Sequence, residues 1–161
     1  MTDKKVSPLT LLKRRLQNLE DKEAIREMLS RYALAIDLKR VEDFLDLWTP
    51  DGVLVSDGSG SIISIKGREE IRAYLAPFLT IATQHLLLDY LIEVNGDTAT
   101  AVGYQVMTDT REDRARIGRC AVRSFRFRRV KGKWRIEEAI SRGIANTAEC
   151  EKLIPAGWLP G

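Results

Sequence analysis

The spacing of apolar residues changes period once, after Pro50-Asp51-Gly52, and that change confines the chain to few folds. Before it, apolar side chains recur at three- and four-residue steps, as on amphipathic helices. Leu9, Leu12, Leu16 and Leu19 form one stripe, and Ala24, Ile25, Met28, Leu29, Tyr32, Ala33 and Ile36 form a second. Asp21 reads as an N-cap dividing two helices, and "VEDFLDLW" reads as a short third helix ending at Thr49-Pro50. After the change the period is two. "VLVSD" and "SIISIKG" read as strands around Asp57-Gly58-Ser59-Gly60, and "REEIRAYLAPFL" returns to helix with acids in its first turn. "QHLLLDYLIEV" and "TATAVGYQVM" flank Asn95-Gly96, and "RCAVRSFRFRRV" and "KWRIEEAIS" flank Lys131-Gly132, both hairpin signals. Helices first and a meandering antiparallel sheet second predict an α+β fold, with one sheet face on the helices and room for a cavity between them.

With 161 residues and no Pro/Gly-rich linker, a single domain over residues 1–161 is expected, its core at about 17–144 and its tail at 145–161. The tail carries Leu153, Ile154, Trp158 and Leu159, so it should dock on the body, either by ordinary packing or as a cover over a pocket. No apolar run approaches the roughly 20 residues that span a bilayer, and no apolar leader segment precedes the first helix. Cys120 and Cys150 are far apart, which suits reduced thiols in a cytoplasmic protein. The net charge of +3 is uneven: residues 111–135 hold eleven basic and two acidic side chains, so any anionic partner has to be met there. "FRFRR" alternates aromatic and basic residues, as single-strand nucleic-acid platforms do. Period two nevertheless puts Phe125 and Phe127 on one face and Arg126 and Arg128 on the other, the pattern of any half-buried strand. A solvated or subunit-facing surface is the better reading, with no nucleic-acid partner.

His85 is the only histidine, and it lies in the apolar run "IATQHLLLDYLI". Zinc spacing, P-loop, dinucleotide-binding and GxSxG patterns are all missing from the sequence. What remains is cofactor-free acid–base chemistry or no chemistry. Asp37 is the first candidate partner of His85. It ends the second helical stripe, where the helix dipole disfavours a carboxylate, so it needs a cation or an N–H donor. An imidazole N–H would serve, fixing the tautomer and leaving Nε2 as a base; alternatively Asp37 only starts the turn "DLKR". Tyr32 shares the buried stripe and is either a core aromatic or a pocket donor. Arg142, the last basic residue of the final strand, is either a clamp for a carbonyl or carboxylate or a solvated strand end. Trp48 is a further candidate for the pocket wall.

The order "LEDKEAIREMLSRYALAIDLKRVEDFLDLWTPDGVL", "IKGREEIRAYL", "QHLLLDYLIEVNGDTATAVGYQV", "FRFRRVKGKWRIEEAISR" resembles the SnoaL-like family of the nuclear-transport-factor-2-like superfamily over residues 17–144. The resemblance implies a cone in which N-terminal helices pack in a curved antiparallel sheet around an apolar pocket. The pattern is similar to that of the cofactor-independent lyases scytalone dehydratase, bile-acid 7α-dehydratase and hexachlorocyclohexane dehydrochlorinase. It implies catalytic roles for Asp37 and His85, with Tyr32 matching a pocket tyrosine. It places Arg142, Ser124 and Met107 near substrate, with Thr108 and Asp109 beside the position of a further acid. The resulting expectation is a dehydratase, dehydrohalogenase or isomerase for a hydrophobic ring-containing molecule, without cofactor or metal, as a homodimer or trimer. The rival is a non-catalytic binding or scaffold protein like the oxygenase β-subunits of the same superfamily.

Overall fold

The computed structural model describes residues 7–57, 61–111 and 114–158. The chain starts with one helix, α1 (Pro8–Asp37), rather than two. Ser7 caps it, its Oγ accepting from the Thr10 N–H at 3.2 Å, and Pro8 suits the first turn. Leu19-Glu20-Asp21-Lys22 contains no breaker, so the two stripes share one axis. Asp21 is therefore no cap. It is buried in mid-helix, accepting from Trp134 Nε1 at 3.2 Å and from Arg129 at 2.8 Å. Leu9, Leu12, Leu16 and Leu19 stay exposed, and the core begins at Ile25.

α2 (Val41–Asp46) leads into β1 (Trp48–Ser56) and β2 (Ile63–Lys66), followed by α3 (Arg68–Leu75) and a 3₁₀ turn at Ala76–Thr80. The glycine-rich turn after Asp57 lies outside the described residues. β3 (Thr83–Asn95), β4 (Thr98–Arg111), β5 (Arg114–Val130) and β6 (Lys133–Gly143) complete a six-stranded sheet of order β2-β1-β6-β5-β4-β3. The sheet is mixed rather than wholly antiparallel, because β1 runs parallel to β6. The first hairpin turns at Gly96-Asp97, one residue later than expected, and the second at Lys131-Gly132 with both φ angles positive.

Two of the register irregularities in the sheet lie in β3 and β6. β3 bulges between Leu88 and Leu91, with Asp89 at a φ of 54°. Opposite it stands Gly103, where a Cβ would come within 2.6 Å of the Leu88 carbonyl and 2.8 Å of the Tyr90 ring. Only a glycine lets β3 and β4 approach there. β6 carries an extra residue at Glu137, between the pairs Arg126–Glu138 and Phe127–Ile136. The inner face holds Phe125, Phe127, Ile136 and Ala139 against Ile25, Leu29, Phe44 and Trp48, all fully or nearly buried. The outer face is covered in part by the tail. After α4 (Thr147–Glu151), Leu153, Ile154 and Trp158 pack on Val102, Val122 and Cys150. Through these residues the tail docks on the body as ordinary packing, on the face away from the helices; Leu159 lies outside the described residues. No helix among the described residues is long and apolar enough to cross a membrane.

Because Asp21 is the shared acceptor of Trp134 and Arg129, Asp21→Ala leaves a buried indole N–H and an arginine without that partner. Urea denaturation should show a loss of about 2–3 kcal/mol, and Asp21→Asn should recover part of it.

Candidate active site

The concave side of the sheet, α1 and the 3₁₀ turn enclose a cavity of about 610 Å³. Its walls are largely apolar, with Ile36, Leu54, Ile63, Leu75, Phe78 and Met107 among them. Asp37 is the last residue of α1, and its pairing with the edge strand β3 sets the geometry. Its Oδ1 lies 2.6 Å from His85 Nδ1, and its Oδ2 accepts the His85 backbone N–H at 2.8 Å. The carboxylate at the unfavourable end of the helix dipole thus meets two N–H donors of one residue. Oδ1 can only accept, so Nδ1 carries the proton and Nε2 keeps its lone pair. Nε2 has no hydrogen-bond partner among the described residues, and His85 lines the cavity. Lys39, two residues beyond the end of α1 and at a φ of 61°, sends its ammonium to the carbonyls of Ile81, at 2.7 Å, and Phe78, at 3.2 Å. That anchors the 3₁₀ turn over the same cavity.

Burial lowers the His85 pKa from the ordinary 6.5, more than the Asp37 hydrogen bond and charge raise it, and the Arg123 and Lys39 cations lower it further. The imidazole is therefore neutral at neutral pH. Tyr32 is 3% exposed, and burial raises its pKa although the Arg123 charge opposes this, so the phenol keeps its proton.

Tyr32, Asp37, His85 and Met107 come together around this cavity, Met107 as the cross-strand neighbour of His85. Trp48 is fully buried behind it, its ring 6.3 Å from that of Tyr32, and supports the wall without lining it. Thr108 and Asp109 lie farther along β4 and do not line the cavity. Ser124 and Arg142 are not brought to the site either. Ser124 neighbours the inward Phe125 and so points to the outer face, beside Leu153 and Ile154. Arg142 would face inward if β6 alternated strictly from Ile136, but the extra residue at Glu137 turns it outward, near Glu149 at 4.0 Å. Arg123 stands inside instead. It is 5% exposed, donates to Gln105 Oε1 at 2.9 Å and to the Tyr32 hydroxyl, and lies over the Tyr32 ring at 4.9 Å. Ser141 Oγ also bonds Gln105 Oε1, at 3.3 Å. Sequence reasoning passed over Arg123, Gln105 and Ser141, although Arg123 shares its strand face with Phe125 and Phe127. Across the cavity Arg119 pairs with Asp57, which also accepts the Gly143 N–H at 2.9 Å. Among the described residues no cluster of three or more His, Cys, Asp or Glu side chains could hold a metal ion.

The SnoaL-like domain model matches residues 17–140. The chain belongs to the SnoaL-like family. Its fold is similar to that of an NTF2-like protein with a cystatin-like fold from Novosphingobium aromaticivorans, at 26% identity and a TM-score of 0.80 over 94% of this chain and 99% of that one. A Mycobacterium tuberculosis protein of unknown function matches at 28% identity and 0.71, covering 78% and 77% of the two chains. A Nostoc punctiforme protein of unknown function with a cystatin-like fold matches at 27% and 0.65, covering 75% and 89%. No curated protein matches the sequence. In this SnoaL-like chain the six-stranded sheet stays open, curving around α1 as in the NTF2-like cone.

The His85 shift has a consequence for stability. The folded state holds its imidazole proton less tightly than the unfolded chain does, so between the two pKa values the unfolded state binds more protons. Stability should therefore fall as pH is lowered through 6.5 toward the folded value. Urea midpoints measured across this range should slope more steeply in the wild type than in His85→Gln.

Proposed function

We propose that the protein is a cofactor-independent lyase or isomerase acting on a hydrophobic, ring-containing small molecule, with His85 as the base that removes a proton from carbon. The observation that carries this reading is the Asp37–His85 pair, with Nδ1 held by the carboxylate and Nε2 left at a largely apolar cavity. Family membership supports it, since SnoaL-like domains typically take small hydrophobic ligands. The apolar walls favour a ring system over a highly polar substrate.

In this mechanism the neutral imidazole accepts the proton at Nε2. Asp37 offsets the charge of the imidazolium so formed, and its second oxygen, on the backbone N–H, prevents the pair from rotating apart. The Tyr32 O–H donates to a substrate oxygen. The imidazolium then returns its proton, either to the departing group, which gives a lyase, or to another carbon, which gives an isomerase. The substrate contacts expected of Ser124 and Arg142 have no place in this scheme, because both lie on the outer sheet face.

The test is turnover of hydroxylated, halogenated and unsaturated ring ketones, followed as product formation or as solvent deuterium incorporation. His85→Ala should lose about 10²–10⁴-fold in rate with unchanged circular dichroism, and Asp37→Asn should move in the same direction. An active His85→Ala, or an unfolded one, would contradict the reading.

A further inference from the structure

The first turns of α1 stand off the body. From Pro8 to Glu20 every residue is exposed except half-buried Asn18. Leu9, Leu12, Leu16 and Leu19 are each more than half exposed. By the helical repeat these leucines lie on the side of α1 opposite Ile25, Leu29 and Tyr32, which face the sheet. The body is thus behind the helix, and the leucine row faces away from it. A helix in water is stabilised mainly by packing its apolar face, and this face has no packing within its own chain among the described residues.

The spacing of the row and the charges beside it identify what fits there. Steps of three, four and three residues put the leucines at the two seam positions of successive heptads. Arg15 and Lys22 flank the seam on one edge, Glu20 and Glu27 on the other. When two such helices run parallel, the basic edge of each meets the acidic edge of the other. Arg15 of one copy then meets Glu20 of the second, and Lys22 meets Glu27. An antiparallel pair would instead set basic edge on basic edge and acidic on acidic. Among the described residues Arg15, Glu20 and Lys22 have no ion-pair partner in their own chain. Glu23 and Arg26, themselves paired at 3.5 Å, follow Leu19 on the same face and end the apolar seam. A lipid surface is the poorer match, because interfacial helices are rich in basic residues, whereas Glu20, Glu23 and Glu27 border this row.

We infer that this face of α1 is an interface between two copies of the chain, joined as a parallel helix pair with Leu9, Leu12, Leu16 and Leu19 in the seam. The two bodies lie on the outer sides of the pair, because each packs on the far face of its own helix. None of the seam or flanking residues lines the cavity that holds His85, so association leaves that site as it is. The seam covers two heptads only, so the pair dissociates on dilution.

Sedimentation equilibrium of the full chain tests this. The wild type should show a concentration-dependent dimer in the micromolar range. Leu12→Glu with Leu16→Glu should weaken it by at least roughly 100-fold, since the charges would be buried in the seam; circular dichroism should be unchanged, because both leucines lie outside the core. Arg15→Glu should weaken the dimer roughly 10-fold, and adding Glu20→Arg should restore it. The charge variants keep the leucines, so they test the seam even if the double glutamate variant fails to fold. A wild type that stays monomeric overturns the interface, whether or not it binds vesicles of anionic phospholipid. A dimer that survives Leu12→Glu with Leu16→Glu lies elsewhere on the molecule and overturns it too. Failure of the reciprocal charge exchange to restore association overturns the parallel pairing.

Discussion

Everything at the concave face depends on how a carboxylate is held at the C-terminal end of α1. That end of a helix repels negative charge, and Asp37 is stable there because His85 supplies two N–H groups, one from the ring and one from the backbone. The backbone bond matters as much as the ring bond. β3 is an edge strand paired only with β4, and an N–H on an edge needs a partner outside the sheet. A single residue therefore ties the helix end to the sheet edge and fixes its own tautomer. Lys39, two residues on, gathers the carbonyls of the 3₁₀ turn onto the same helix terminus.

The electrostatics of the cavity follow from burial more than from pairing. Asp37 favours the imidazolium, yet the apolar surroundings and the Arg123 and Lys39 cations outweigh it. The histidine rests neutral with its counter-ion already in place. In the proposed reaction a base in that state would take a proton with its new charge compensated without rearrangement. The same burial keeps the Tyr32 phenol protonated, so one wall presents a neutral imidazole and another a phenol O–H. The surrounding rings hold these groups in position: Phe44 lies 4.7 Å and Phe125 5.4 Å from the Tyr32 ring, centroid to centroid.

Much of this was legible in the residues, and the misses have physical causes. The switch of period at Pro50-Asp51-Gly52 separated helices from sheet, and the awkwardness of Asp37 pointed to an N–H donor. A charged residue inside a helix can cap nothing, yet Asp21 reads as a cap because its partners Arg129 and Trp134 lie more than a hundred residues away. The parallel pairing of β1 with β6 is equally long-range. The face on which Arg142 lies could not be read from the strand, because one extra residue in β6 reverses the faces beyond it, and "WRIEEAIS" gives no sign of where that residue sits. Ser124 and Arg123 are different. The alternation through Phe125 and Phe127 already turns Ser124 outward and Arg123 inward, and the family resemblance drew attention to the wrong member of the pair.

The proposed chemistry requires that His85 be coupled to Asp37, and a lone histidine makes that coupling directly measurable. Its imidazole should be titrated by nitrogen-15 NMR in the wild type and in Asp37→Asn. The structure predicts a proton on Nδ1 in the neutral form and a pKa below 6.5 in the wild type, moving lower still in Asp37→Asn as the acceptor and its charge are removed. An imidazole that titrates near 6.5 and ignores the substitution would show that the pair does not form in solution, and the base assigned to this cavity would go with it.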